Sequence, residues 1–191
     1  MVVTALRELP RGRVEVQLDG EPWRTLPADA VVRAGLGVGR ALDRPTARTL
    51  ARELRRSGAL RRATRALAVR DRSRGALEER LTRAGVTPAA REEALGALER
   101  AGLVDDARVA RSRAESLAER GYGDVAIREA LEREHVPEAV AADAVASLTP
   151  EPERARSLLA GGAGPRELRR LAARGFDPET LAELSGFADA P

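Results

Sequence analysis

At 191 residues the chain has room for one or two small domains, and 43% hydrophobic residues supply a core. Aromatics are only 2%, so that core must be Leu, Val and Ala, which suits close-packed helices better than a β-sandwich. The formal charge is +3 while the isoelectric point is near 10.6; there is no lysine, all 33 basic residues are arginine, and the high value reflects guanidinium chemistry rather than a positive surplus.

With no cysteine, disulfides, thiolate zinc sites and Cys nucleophiles are excluded. A single histidine, His135, excludes a multi-His metal site and argues against a Ser-His-Asp triad. Arg7 and Glu8 follow Met1–Leu6 too soon for a secretory apolar region, and no apolar run approaches the roughly 18 residues of a membrane span. A soluble cytoplasmic protein is the expectation.

Charge is unevenly spread. Residues 1–57 and 58–104 each carry net +4, residues 105–149 net −4 and residues 150–191 net −1. The densest stretch, Arg44 to Arg74, has eleven arginines against Glu53 and Asp71, net +9 in 31 residues.

In chain order, residues 2–26 read as a small β element. Val14, Val16 and Leu18 alternate with Arg13, Glu15 and Gln17, the period of a half-buried strand. Pro10-Arg11-Gly12 before it and Asp19-Gly20 after it are turn signals. Pro27-Ala28-Asp29 opens a short helix through Arg33, and Gly35-Leu36-Gly37-Val38-Gly39 follows as a loop. From Asp43 the pattern is helical. On 44–56, Ala47, Leu50, Ala51 and Leu54 share one face while Arg44, Arg48, Arg52, Arg55 and Arg56 share another. Gly58 is expected to end that helix, and a second runs from Leu60 to Val69 with Arg61, Arg62 and Arg65 on its outer side.

Beyond this an internal repeat emerges. Three amphipathic helices carry the pairs Leu77/Leu81, Ile127/Leu131 and Leu168/Leu171. Each ends at a turn residue (Gly85, His135, Gly175) followed by an apolar residue. Each restarts at a proline (Pro88, Pro137, Pro178) suited to a first helical position, with Thr87 and Asp177 as N-caps. A further helix follows: 89–100, 138–148 and 179–187. The predicted fold is mainly α, three tandem three-helix repeats in a curved array preceded by a small β-containing element. The boundaries are 1–42 for that element, 43–104 for the basic helices and repeat one, 105–149 for repeat two and 150–191 for a short repeat three. Gly161-Gly162-Ala-Gly164 marks a flexible joint within the last.

The arginine stretch is the main candidate site, because an Arg face free of neighbouring acids suits phosphate or an acidic protein surface. The candidate binding residues are Arg48, Arg52, Arg55, Arg56, Arg61, Arg62, Arg65, Arg70, Arg72 and Arg74, with Arg108, Arg120 and Arg128 further along. The competing reading is a solvated face in a chain whose every cation is Arg. Tyr122, between glycines and two residues from Arg120, is a candidate stacking residue or the plug of a helix end. Asp105-Asp106 reads as a helix cap. The 35–39 glycines lack a lysine and precede no clear βα unit, so they are not read as a phosphate loop. His135 reads as a helix-end residue and Trp23 as an anchor of the β element. No nucleophile–base pair or metal cluster stands out, and no cofactor is expected.

Residues 62–81, followed by Ala101-Gly-Leu-Val-Asp-Asp-Ala-Arg108, resemble the opening repeat and linker of the RecX regulatory proteins. Arg120-Gly-Tyr-Gly123 with Ile127-Arg-Glu-Ala-Leu131 resembles that family's second repeat, and Arg174-Gly-Phe176 its third; Val14–Gly20 looks like the β extension of longer members. Val109 departs from the family's usual Phe, and the third repeat has fewer aromatics. The resemblance implies a non-enzymatic regulator that binds the RecA recombinase, lies in the groove of the RecA filament on single-stranded DNA, and restrains filament growth, ATP hydrolysis, strand exchange and repressor cleavage, and so DNA repair, recombination and the SOS response. A monomer with RecA and the filament as partners, and single- or double-stranded DNA as a direct one, is the expectation. The alternatives are a helical-repeat nucleic-acid binder with no RecA role, and a plain protein adaptor.

Overall fold

The computed structural model describes residues 1–159 and 164–188. Three antiparallel strands, β1 (Val3–Leu9), β2 (Arg13–Leu18) and β3 (Glu21–Pro27), precede helices α1 (Ala28–Arg33), α2 (Arg44–Leu67), α3 (Arg74–Arg83), α4 (Pro88–Arg100), α5 (Asp106–Glu119), α6 (Asp124–Arg133), α7 (Glu138–Ala146), α8 (Glu151–Leu158), α9 (Pro165–Ala172) and α10 (Pro178–Ala188). The chain divides into two compact units: residues 1–70 with 77–103, and residues 71–76 with 104–191.

In the first unit the sheet order is β1-β2-β3. Val14, Val16 and Leu18 are buried, as their alternation predicts. Both hairpins turn on pairs with positive φ, Arg11-Gly12 (64° and 65°) and Asp19-Gly20 (49° and 91°), the backbone that two-residue hairpins need. Trp23 packs partly buried on this core, with the Arg24 guanidinium 5.4 Å from its ring centroid. The α1 helix and the loop after it complete the layer: Ala30, Val31, Ala34 and Leu36 are buried.

One expectation is corrected. Gly58 does not end a helix; α2 runs unbroken from Arg44 to Leu67. A mid-helix glycine costs only about 1 kcal/mol relative to Ala, and tertiary burial on either side of it outweighs that. Before Gly58 the helix buries Thr46, Leu50, Glu53 and Ser57, and Leu50 joins the core under the sheet. After it the buried face is Ala59, Ala63 and Ala66, with Ala59 against Ala90 and Ala94 of α4. At 100° per residue those two faces lie more than 90° apart. One helix thus serves two cores, and its N-terminus is held by Asp43, whose side chain accepts from the Thr46 N–H at 2.8 Å.

In the second unit α5, α6 and α7 close around Ile127 and Leu131, while α8, α9 and α10 close around Leu171 and Phe176. Three tandem three-helix groups are present, the first made by the end of α2 with α3 and α4. The turn residues Gly85, His135 and Gly175 all have positive φ (70°, 56° and 75°), which the repeat phase predicts. Pro88 and Pro178 open their helices, but Pro137 stands one place earlier, as the residue before α7. The 161–163 part of the predicted glycine joint lies outside the described residues.

Two junctions in this unit follow one rule. The Arg74 N–H at the start of α3 donates to Asp106 at 2.6 Å, and the Asp124 N–H at the start of α6 donates to Glu151 at 2.5 Å. Asp106 and Glu151 are each the first residue of the following group's first helix. The residue just before each capped N–H bonds the turn of that group: Ser73 Oγ donates to the Glu134 carbonyl, and the Gly123 N–H to the Arg174 carbonyl at 2.9 Å. Helix N-termini leave backbone donors unsatisfied, and an acid placed there supplies both an acceptor and a charge suited to the dipole.

Candidate arginine interface

The stripe on α2 is built by helical spacing. Arg44, Arg48, Arg55 and Arg62 lie within about 40° of one another, with Arg65 on one flank. All five are exposed. Between them the same line carries only Ala51 and Gly58, so no bulky side chain interrupts it. From Arg44 to Arg65 the line extends about 32 Å at 1.5 Å per residue. None of these five arginines has a carboxylate partner among the described residues.

That absence discriminates between the two readings of the stripe. Two exposed arginines on other helices, by contrast, each pair with an acid one helical turn away, Arg83 with Glu79 at 2.5 Å and Arg133 with Glu129 at 3.9 Å. A merely solvated arginine surface mixes in acids in that way. The α2 line does not, and repulsion between like charges at these spacings costs a few tenths of a kcal/mol per pair.

Other candidates stand apart from the stripe. Arg61 is exposed on the far flank of α2. Arg52 turns onto the buried Glu53, with its Nη2 3.0 Å from Oε1. Arg56 is packed in the first unit, only 13% exposed, with Glu93 3.8 Å away. Arg70, Arg72 and Arg74 all make polar contacts within the protein, and Arg108 stands 3.7 Å from Asp71. Arg128 rims a cleft of about 510 Å³ between α6 and α7, floored by Val125 and Val136 and otherwise edged by Glu129, Glu132 and Glu138. The fourteen candidates are divided between the two units, those up to Arg70 in the first and those from Arg72 onward in the second.

Tyr122 is half-buried against the α5–α7 core, and Arg120 stacks 5.5 Å from its ring centroid. Its loop is gripped from below. Arg154 donates to the Tyr122 carbonyl at 2.9 Å and to the Asp124 carboxylate, while Arg174 Nη1 reaches the Arg120 and Gly121 carbonyls at 3.3 and 3.4 Å. The buried Glu151 accepts from the Asp124 N–H with one oxygen and from the Asp177 N–H, at 3.0 Å, with the other. Asp105 caps α5 by accepting from the Arg108 N–H at 2.9 Å. Sequence reasoning missed Glu151, Arg154 and Arg174, and one signal was available: an acid opens both α5 and α8. It also missed Arg166, Arg169 and Arg170, three exposed arginines on α9.

Burial pushes the Asp124 carboxyl above the usual carboxylate value; Arg154 and Arg128 pull it down and Glu151 pushes it further up. The folded chain therefore holds this proton more tightly than the unfolded chain. The group's contribution to stability rises as pH falls through its raised value and is absent well above it. The thermal midpoint of the parent minus that of Asp124→Asn is expected to grow between pH 7 and pH 4; a difference that stays flat or shrinks contradicts this.

Among the described residues, no helix is long and apolar enough to cross a membrane, and no group of three metal-ligating side chains converges.

A family model for the second three-helix domain of RecX matches residues 105–145. The regulatory protein RecX of Stenotrophomonas maltophilia is 34% identical over 158 residues, which cover 77% of this chain and 96% of the relative. That of Chromohalobacter salexigens is 38% identical over 136 residues, covering 66% and 90%. A crystal structure of regulatory protein RecX superposes with a TM-score of 0.82 at 20% identity, over 97% of this chain and 100% of that one. RecX from Lactobacillus salivarius superposes at 0.62 and 19% identity, over 71% and 97%. The solved structures carry the fold and the relatives carry the kinship: the chain belongs to the RecX family of regulatory proteins.

Proposed function

We propose that this protein is a non-enzymatic modulator of the RecA recombinase, which binds RecA and its filament on single-stranded DNA and restrains filament growth, ATP hydrolysis and strand exchange. It acts as a monomer in the cytoplasm, without a cofactor. Kinship with proteins named as regulators supports a regulatory role over catalysis. The observation that carries the reading is the acid-free arginine line along α2. A line about 32 Å long offers an extended contact rather than a pocket, and a filament on DNA presents both phosphate and protein along its groove. Tandem helical groups present such extended surfaces by construction.

The second reading, a nucleic-acid binder with no RecA role, draws on the same line of arginines. One experiment separates them. Added to RecA on single-stranded DNA, the protein is expected to lower ATP hydrolysis progressively, at concentrations below those that coat the DNA. Unchanged hydrolysis at every ratio, alongside tight salt-sensitive binding to free DNA, would establish the second reading instead.

A further inference from the structure

The third helical group carries an arginine face that the α2 line does not explain. Arg166, Arg169 and Arg170 stand at i, i+3 and i+4 on α9, and all three are exposed. The opposite side of the helix seals the core through Leu171, with Leu168 partly buried beside it. The one acid on α9, Glu167, is half-buried and approaches Gly164 rather than the arginines. Arg169 Nε donates to the Pro165 carbonyl at 3.0 Å, which fixes its stem along the helix. No carboxylate pairs with any of the three among the described residues.

Helix stability does not account for this arrangement. Cations in the last turn suit the macrodipole, which covers Arg169 and Arg170. Arg166 lies in the first turn, where a cation is disfavoured, and it repels both of the others. The chemistry of the face also selects its ligand. Among the described residues, this side of α9 also carries Pro165, Ala172 and Ala173, all exposed, and no aromatic or large aliphatic anchor. Protein interfaces draw their energy from such anchors. Arginines at i, i+3 and i+4, whose Cβ atoms stand about 5–6 Å apart, with nothing to stack on a base or read its edge, suit a run of phosphates.

We propose that α9 is a separate phosphate-backbone contact, which binds single-stranded DNA without sequence preference, in addition to the line on α2. The proposal concerns DNA alone and does not rest on the RecA reading. The test uses the full chain with Arg166, Arg169 and Arg170 all replaced by Ala, and fluorescence anisotropy on an oligothymidylate of roughly 30 nucleotides between 50 and 200 mM salt. Each lost contact to a single strand removes about 0.7 from the salt slope, so the slope should shrink by about 2 and affinity at low salt should fall roughly tenfold. An Arg83→Ala, Arg133→Ala double variant, which removes two paired arginines, should bind as the parent does. All three α9 side chains point to solvent, so the thermal midpoint reports that the fold is intact. An unchanged slope overturns the proposal. So does an unchanged slope with weakened binding to RecA alone, which would make the face a protein contact. Because no RecA is present in the DNA arm, either result leaves the RecA reading to its own ATPase test.

Discussion

Replacing Gly123 with alanine is expected to destabilise the second unit by roughly 3 kcal/mol and to release α9 and α10 from it. A Cβ added at Gly123 would lie 2.3 Å from the Gly175 carbonyl oxygen, the Phe176 nitrogen and the Phe176 Cα. All three are backbone atoms, so no rotamer change relieves the clash. The turn must retreat, and with it go the Gly123 N–H bond to Arg174 and the Val125 N–H bond to Gly175, at 2.9 and 3.1 Å. The strain is purely tertiary, because Gly123 has an ordinary φ of −84° that alanine adopts freely. Gly58→Ala supplies the opposite sign: only Arg62 Nη1 comes near, at 3.9 Å, and the helix gains about 0.5–1 kcal/mol. Hydrogen exchange is the direct readout. Amides of 165–185 should exchange roughly a hundredfold faster in Gly123→Ala, since each 1.4 kcal/mol is a factor of ten, while those of β2 stay protected. Equal protection of both segments would mean that this junction yields without cost.

What could be read from the chain beforehand follows from which interactions are local. The repeat phase was visible because Leu81, Leu131 and Leu171 each stand four residues before a turn residue, and a turn that needs positive φ selects for itself. His135 shows how far that goes: it fills a position held by glycine in the other two groups, at a φ of 56°. The junctions were invisible because their partners are 26 to 61 residues apart in sequence. Nothing near Glu151 announces that it serves both Asp124 and Asp177. The continuation of α2 through Gly58 depended on two cores, and a helical wheel of either half alone could not show it. The α9 arginines were hidden by summation. Residues 150–191 total −1, yet Glu151 is buried, Glu167 half-buried, and all three arginines face outward. Net charge by segment averages over faces, whereas a partner meets only one of them.

Charge reversal along the α2 line, with Arg48, Arg55 and Arg62 all changed to Glu, should have the largest functional effect of any surface variant. Three cations lost remove about 2 from the salt slope on a single strand, and three anions gained add repulsion, so affinity for free single-stranded DNA at low salt should fall roughly a hundredfold or more. The fold should survive, because these side chains are exposed and removing mutual repulsion offsets any helix-propensity loss. Arg56→Ala makes the informative contrast. Arg56 is packed beside Glu93 and only 13% exposed, so its loss should lower the thermal midpoint and leave the salt slope nearly unchanged. Measured on the RecA filament, the same triple variant divides the roles of the line. If the arginines meet phosphate, suppression of ATP hydrolysis should weaken in step with DNA affinity, and raising salt should weaken the parent likewise. If they meet an acidic wall of RecA, suppression should fall while affinity for free DNA barely moves. Full suppression by a variant that has also kept its DNA affinity would remove the line from the interface, and with it the observation on which the RecA reading chiefly stands.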